Sequence, residues 1–141
     1  MEESEQDNLF ITFQQTIESV IQEKKRNPKN EKLLNKFNAR VIIGLQMDED
    51  YYFWVNLVAK DGNYTLGKGK LEEFDLELRA APEDLVYFVN GENSVLNMVL
   101  KNNEFEYKKL RFSKGSTGKR NFGILLKLSK ILVLDWNLFK E

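Results

Sequence analysis

The 141-residue chain contains no cysteine and no histidine. The first absence removes disulfides, thiolate nucleophiles and zinc–thiolate sites. The second removes serine–histidine triads, cysteine–histidine dyads and imidazole metal ligands. Any catalysis is left to carboxylates, lysine or tyrosine. Long apolar runs are missing as well. The most apolar stretch, Phe122 to Leu134, carries two lysines and falls short of the ~20 residues that span a bilayer. The opening residues MEESEQDN are acidic, unlike the basic-then-apolar pattern of a secretory leader, so a cytoplasmic location is expected.

Phosphate and metal motifs fail on spacing. Gly115-Ser116-Thr117-Gly118-Lys119 has two residues between its glycines where a phosphate loop needs four, and Arg120 follows the lysine instead of Ser or Thr. Gly67-Lys68-Gly69 lacks the third glycine of a dinucleotide fingerprint. Asp48-Glu49-Asp50 and Glu72-Glu73 offer none of the alternating register of a calcium loop. No catalytic residue, metal site or cofactor is assigned.

What is present describes an ordinary globular chain, 42% hydrophobic and 30% charged. Residues 1–8 are expected to form a disordered acidic lead, and residues 9–141 a single domain. Residues 1–100 hold 11 Lys/Arg against 18 Asp/Glu, a balance of −7; residues 101–141 hold 10 against 4, a balance of +6.

The organising stretch runs from Phe74 to Leu100. Phe74, Leu76, Leu78 and Ala80 alternate with charged residues, the period of a half-buried strand. Pro82 suits a first helical turn, with Glu83 and Asp84 at its positive end and Gly91 placed to stop the helix. Ser94 is positioned to cap a second apolar helix through Leu100.

Around that stretch the period predicts an amphipathic helix over Leu9–Arg26 and a short helix after Asn30. Strands are predicted over Ala39–Met47, Tyr51–Val58 and Asn63–Lys70, with Asp61-Gly62 as a hairpin turn. A fifth strand is predicted from Phe105 and Tyr107 to Phe112, its phase slipping through a bulge at Lys108-Lys109. A basic loop over Ser113–Arg120 leads to a last helix from Asn121, apolar nearly all round except along Gly123, Lys127, Lys130 and Asn137. The class is α+β: a five-stranded, mostly antiparallel mixed sheet with helices packed on one face.

This order resembles the sterol carrier protein type-2 domain. The resemblance rests on the Trp-bearing strand YYFWVNLV, the Asp-Gly hairpin, and the strand ending before Pro-Glu-Asp-Leu. It rests also on Asn90-Gly91 before a second apolar helix, and on the final strand and apolar helix. It spans roughly Ala39 to Leu134; the long basic loop and the acidic lead depart from it. It implies a non-catalytic lipid binder with an apolar tunnel between sheet and helices, for acyl chains, sterols or similar ligands.

On that reading the walls are Phe88, Val89, Val95, Leu96, Val99, Leu125, Leu128, Ile131 and Leu132, with Phe53 and Leu76 on the sheet. The helix from Asn121 is the moving cover. An empty site of ~400 Å³ would cost on the order of 10 kcal/mol, comparable with a whole domain's ~5–15 kcal/mol, so the tunnel is expected to be filled or partly collapsed. Taken singly, each wall residue is better read as ordinary core. The alternative function is a dimer or partner interface on the apolar C-terminal helix, the chain being a monomer or weak homodimer. The run Lys108, Lys109, Arg111, Lys114, Lys119 and Arg120 is read first as a solvated face and second as a contact for anionic lipid headgroups. Nucleic acid ranks third, despite the interleaved Tyr107 and Phe112.

Overall fold

The computed structural model describes residues 2–89, 95–114 and 121–132, with only the backbone described at 87, 89, 95, 96, 113, 114, 121 and 122. Helix α1 spans Glu3–Lys25 and buries Ile17, Val20, Ile21 and Lys24. It begins inside the stretch expected to be a disordered lead, which corrects that expectation for residues 3–8. Two tertiary contacts explain the difference. The Gln6 amide donates to the Tyr51 hydroxyl at 3.1 Å, and Asp7 pairs with Lys68. Glu3 and Glu5 in the first turn and Lys24 and Lys25 in the last complement the helix dipole.

A 3-10 turn at Pro28–Asn30 is capped by Asn27, whose side chain accepts from the Lys29 N–H. Helix α2, Glu31–Lys36, follows. Asn30 makes no side-chain cap; its amide instead donates to the Lys24 carbonyl at 3.0 Å, tying α2 to the end of α1.

Strands β1 (Ala39–Gln46), β2 (Tyr52–Lys60) and β3 (Asn63–Lys68) form an antiparallel meander. Asp61 (φ 52°) and Gly62 (φ 84°) make the two-residue turn between β2 and β3, a conformation glycine adopts without a Cβ clash. Strand β4 (Leu76–Ala80) then pairs parallel to β1, and β5 (Arg111–Lys114) pairs antiparallel to β4. The order β3-β2-β1-β4-β5 confirms a five-stranded mixed sheet in an α+β fold. Helices α3 (Pro82–Val89), α4 (Val95–Leu100) and α5 (Asn121–Leu132) complete the elements.

The fifth strand begins later than its sequence suggests. Phe105 to Leu110 is a turn region organised by Asn103, whose side-chain oxygen accepts from the N–H groups of Phe105 and Tyr107. A lone bridge joins Asn102 to Lys108, and Glu106 sits at φ 66°. The slipped alternation is therefore a change from loop to strand, with no bulge between two halves of one strand. Ser113 and Lys114 belong to β5; residues 115–120 and 133–141 lie outside the described residues.

The sheet has two unlike faces. Ala39, Val41, Ile43 and Leu45 alternate inward with Phe53, Val55, Leu57, Leu76 and Leu78, meeting α1, α3 and α5 in one core. On the outer face the chain must pass from β3 to β4 across two strands. Residues 69–75 make that crossing: the Gly69 N–H donates to the Trp54 carbonyl, and the Asn56 amide donates to the Gly69 carbonyl. At the far end Asp75 closes on Arg40 through reciprocal backbone and side-chain bonds. The crossing explains why Ile42, pointing outward, is fully buried.

Candidate functional site

An apolar pocket of about 90 Å³ lies between the inner sheet face and helices α1, α3 and α5. Its sheet wall is Ile43, Leu45 and Leu78; α1 supplies Leu9, Phe13 and Ile17. Helix α3 supplies Leu85, Val86 and Phe88, and α5 supplies Leu125, Leu128 and Leu132. Among the described residues the lining includes no charged side chain. Its hydroxyls belong to Thr12 and Thr16, which donate to the carbonyls of Asn8 and Thr12 one helical turn back, at 2.9 and 2.8 Å. Both are satisfied within α1, so they present the pocket with no free donor.

Half of the Val86 side chain is exposed, which marks the mouth between α1 and α3. Asp84 stands two residues earlier, buried in the first turn of α3 with the Lys109 ammonium 3.7 Å away. Burial raises the Asp84 carboxyl above its usual range, and Lys109 only partly opposes that. On the opposite side Lys24, 3% exposed, reaches from α1 to donate to the Lys130 carbonyl of α5 at 2.9 Å. α5 is thus held by an apolar face and by a buried ammonium at its negative end.

The walls named from the sequence divide. Phe88, Leu125, Leu128 and Leu132 border the pocket. Phe53, Leu76 and Ile131 are buried deeper in the core, and Val99 packs half-buried against it. The side chains of Val89, Val95 and Leu96 lie outside the described residues. Sequence reading missed the contribution of α1, although Leu9, Phe13 and Ile17 at spacings of four were its visible signal. Of the basic run, the three residues whose side chains are described point to different surroundings. Lys108 donates to the Leu100 carbonyl, Lys109 faces Asp84, and Arg111 lies on the outer sheet face. The Lys114 side chain, Lys119 and Arg120 lie outside the described residues.

The sequence matches no protein-family model and no curated protein. Solved structures do share its architecture. The sterol carrier protein domain 2 of Helicoverpa armigera superposes with TM-score 0.59 at 14% identity, over 82% of this chain and 81% of its own. Sterol carrier protein 2 from Yarrowia lipolytica, in its apo form, gives 0.56 at 18% identity over 81% and 84%. The fold is the sterol carrier protein 2 fold. A ubiquinone synthesis protein, UbiJ-SCP2, shares it too, with TM-score 0.63 at 7% identity over 95% of this chain and 94% of its own. At such identities it is the sterol carrier architecture that is common, and the pocket described above is this chain's own. No helix among the described residues is long and apolar enough to cross a membrane.

Proposed function

We propose that this protein is a non-catalytic carrier of apolar lipid, taking the hydrocarbon part of its ligand into the pocket beneath α3 and α5. The observation that carries the reading is the lining: sixteen described residues, apolar but for two threonines whose hydroxyls are already bonded. The sterol carrier architecture supports it.

Size sets the mechanism. A 90 Å³ void costs only about 2 kcal/mol at ~24 cal/mol per Å³, so the protein tolerates it empty. It is also well below the ~300 Å³ at which ligand sites begin, so uptake requires a helix to move outward. α5 is the cover: it follows the 115–120 segment and is secured at its far end by Lys24. Each CH₂ leaving water returns ~0.8 kcal/mol, and a handful of them offsets the loss of the latch. With Leu125, Leu128, Ile131 and Leu132 inside its own core, α5 has one large apolar side chain well exposed among its described residues, Leu126, which favours the carrier over the dimer-interface reading. Contact with anionic membranes, through Lys108 and its neighbours, belongs to the same proposal.

The test is native mass spectrometry and thermal melting with oleic acid, cholesterol and a polyprenyl quinone as probes. One-to-one binding with a raised Tm is expected for at least one of them. If all three leave both mass and Tm unchanged, the carrier reading fails.

A further inference from the structure

The outer sheet face carries a ladder that the lipid pocket does not use. Lys70 Nζ lies 4.3 Å from the Trp54 ring centre, and Arg79 Cζ lies 5.2 Å from Trp54 and 5.1 Å from Tyr52. Arg111 Cζ lies 5.4 Å from Tyr52 and 4.6 Å from Tyr107. Cation and ring alternate through six residues drawn from the crossing segment, β2, β4, β5 and the loop before β5. Strand register builds its centre, since Trp54 pairs with Gly44, Gly44 with Arg79, and Arg79 with Arg111. Gly44 is the gap in the row: a Cβ there would stand 2.9 Å from the Trp54 ring, which lies across it.

The charges on this ladder are unbalanced. Arg79 has Glu77 at 3.1 Å. Neither Lys70 nor Arg111 has a carboxylate within ion-pair distance among the described residues. Arg111 donates from one terminal nitrogen to neutral oxygens of Gln46 and Tyr52, while its Nε is buried without a hydrogen-bond partner. Gln46 cannot shift freely to serve it, because the same oxygen accepts from Asn103 at 2.9 Å. Partnerless buried groups of this kind are rare and call for an explanation.

We propose that the Lys70–Trp54–Arg79–Tyr52–Arg111–Tyr107 ladder docks an acidic segment of a partner protein. Trp, Tyr and Arg are the residues in which interface hot spots are enriched, and here they are held in one row with surplus positive charge. Carboxylates of the partner supply the missing counter-charge to the exposed Lys70 ammonium and to the outer guanidinium nitrogens of Arg79 and Arg111, the buried Arg111 Nε staying out of their reach. Single-stranded nucleic acid fits less well. Its bases need free ring faces, and Trp54 is flanked by Lys70, Arg79 and the Gly44 backbone.

The experiment selects random 12-residue peptides on phage against the full chain, then measures synthetic copies of the enriched peptides by fluorescence anisotropy. Enrichment of Asp/Glu-rich peptides is expected, with binding weakened at least about 10-fold by Arg111→Gln and by Lys70→Glu. Lys70 is exposed, so its reversal tests the charge even where Arg111→Gln perturbs folding. Retained Tm and retained lipid uptake by Lys70→Glu separate this surface from the inner pocket. Enriched peptides without acidic residues, or acidic peptides that bind Lys70→Glu undiminished, overturn the proposal. Binding of a 20-residue oligo(dT) that is lost in the same variants also overturns it, in favour of nucleic acid.

Discussion

Lys24 and Lys130 are joined across the molecule, the ammonium of one donating to the carbonyl oxygen of the other at 2.9 Å. They are 106 residues apart, and Lys24 is almost fully buried where it makes the bond. A cation at the negative end of a helix is favourable electrostatically. Here it also ties down α5, which supplies one wall of the pocket.

Replacing Lys24 by Met keeps the length and apolar stem while deleting the donor. The α5 end loses a charge-assisted bond, for an expected loss of about 1–3 kcal/mol. Amide exchange measured by mass spectrometry should accelerate in α5 and stay slow in β1 and β2. Uniform exchange across both would show that α5 does not open separately.

Asp84 makes stability depend on pH. Its folded carboxyl holds its proton at pH values where the unfolded chain has already released it. Stability therefore falls as pH rises from the ordinary carboxylate range through the raised value. Asp84→Asn should remove that slope. The variant should unfold at higher denaturant concentration than the parent near pH 7, with the difference closing below about pH 4. A parent more stable than the variant at pH 7 would mean that the Lys109 pairing outweighs burial.

Gly44→Ala places a methyl carbon against the Trp54 ring. Lys70 and Arg79 also lie against the ring, so a swing away from Gly44 disturbs the ladder. A loss of about 1–3 kcal/mol in denaturant unfolding is expected. In a Trp136→Phe background the Trp54 emission should also shift.

Leu128→Asp puts a carboxylate in the pocket wall at a fully buried position. Lipid binding should be lost. The sheet should persist at reduced stability, readable as retained β signal in circular dichroism. Undiminished lipid binding by the folded variant would place the ligand elsewhere.

Local chemistry explains what was legible. The alternation of Val41, Ile43 and Leu45, and of Phe53, Val55 and Leu57, marks the buried sheet face because successive strand residues point to opposite sides. Asp61-Gly62 and Pro82 announce a turn and a helix start because their backbone preferences are intrinsic. The absence of cysteine and histidine restricts chemistry in any fold. These features the sequence determined by itself.

Tertiary structure decided the rest. Periodicity says that a face is buried but not what buries it, so α1 as a pocket wall became visible only in three dimensions. The 69–75 crossing makes β4 parallel to β1 and buries Ile42, and no local signal encodes which side of a sheet a segment takes. Arg111 was one cation in a basic run until strand pairing set it between Tyr52 and Tyr107. Tyr52 and Arg111, 59 positions apart, meet because the sheet register brings them together, and register is a property of the whole fold.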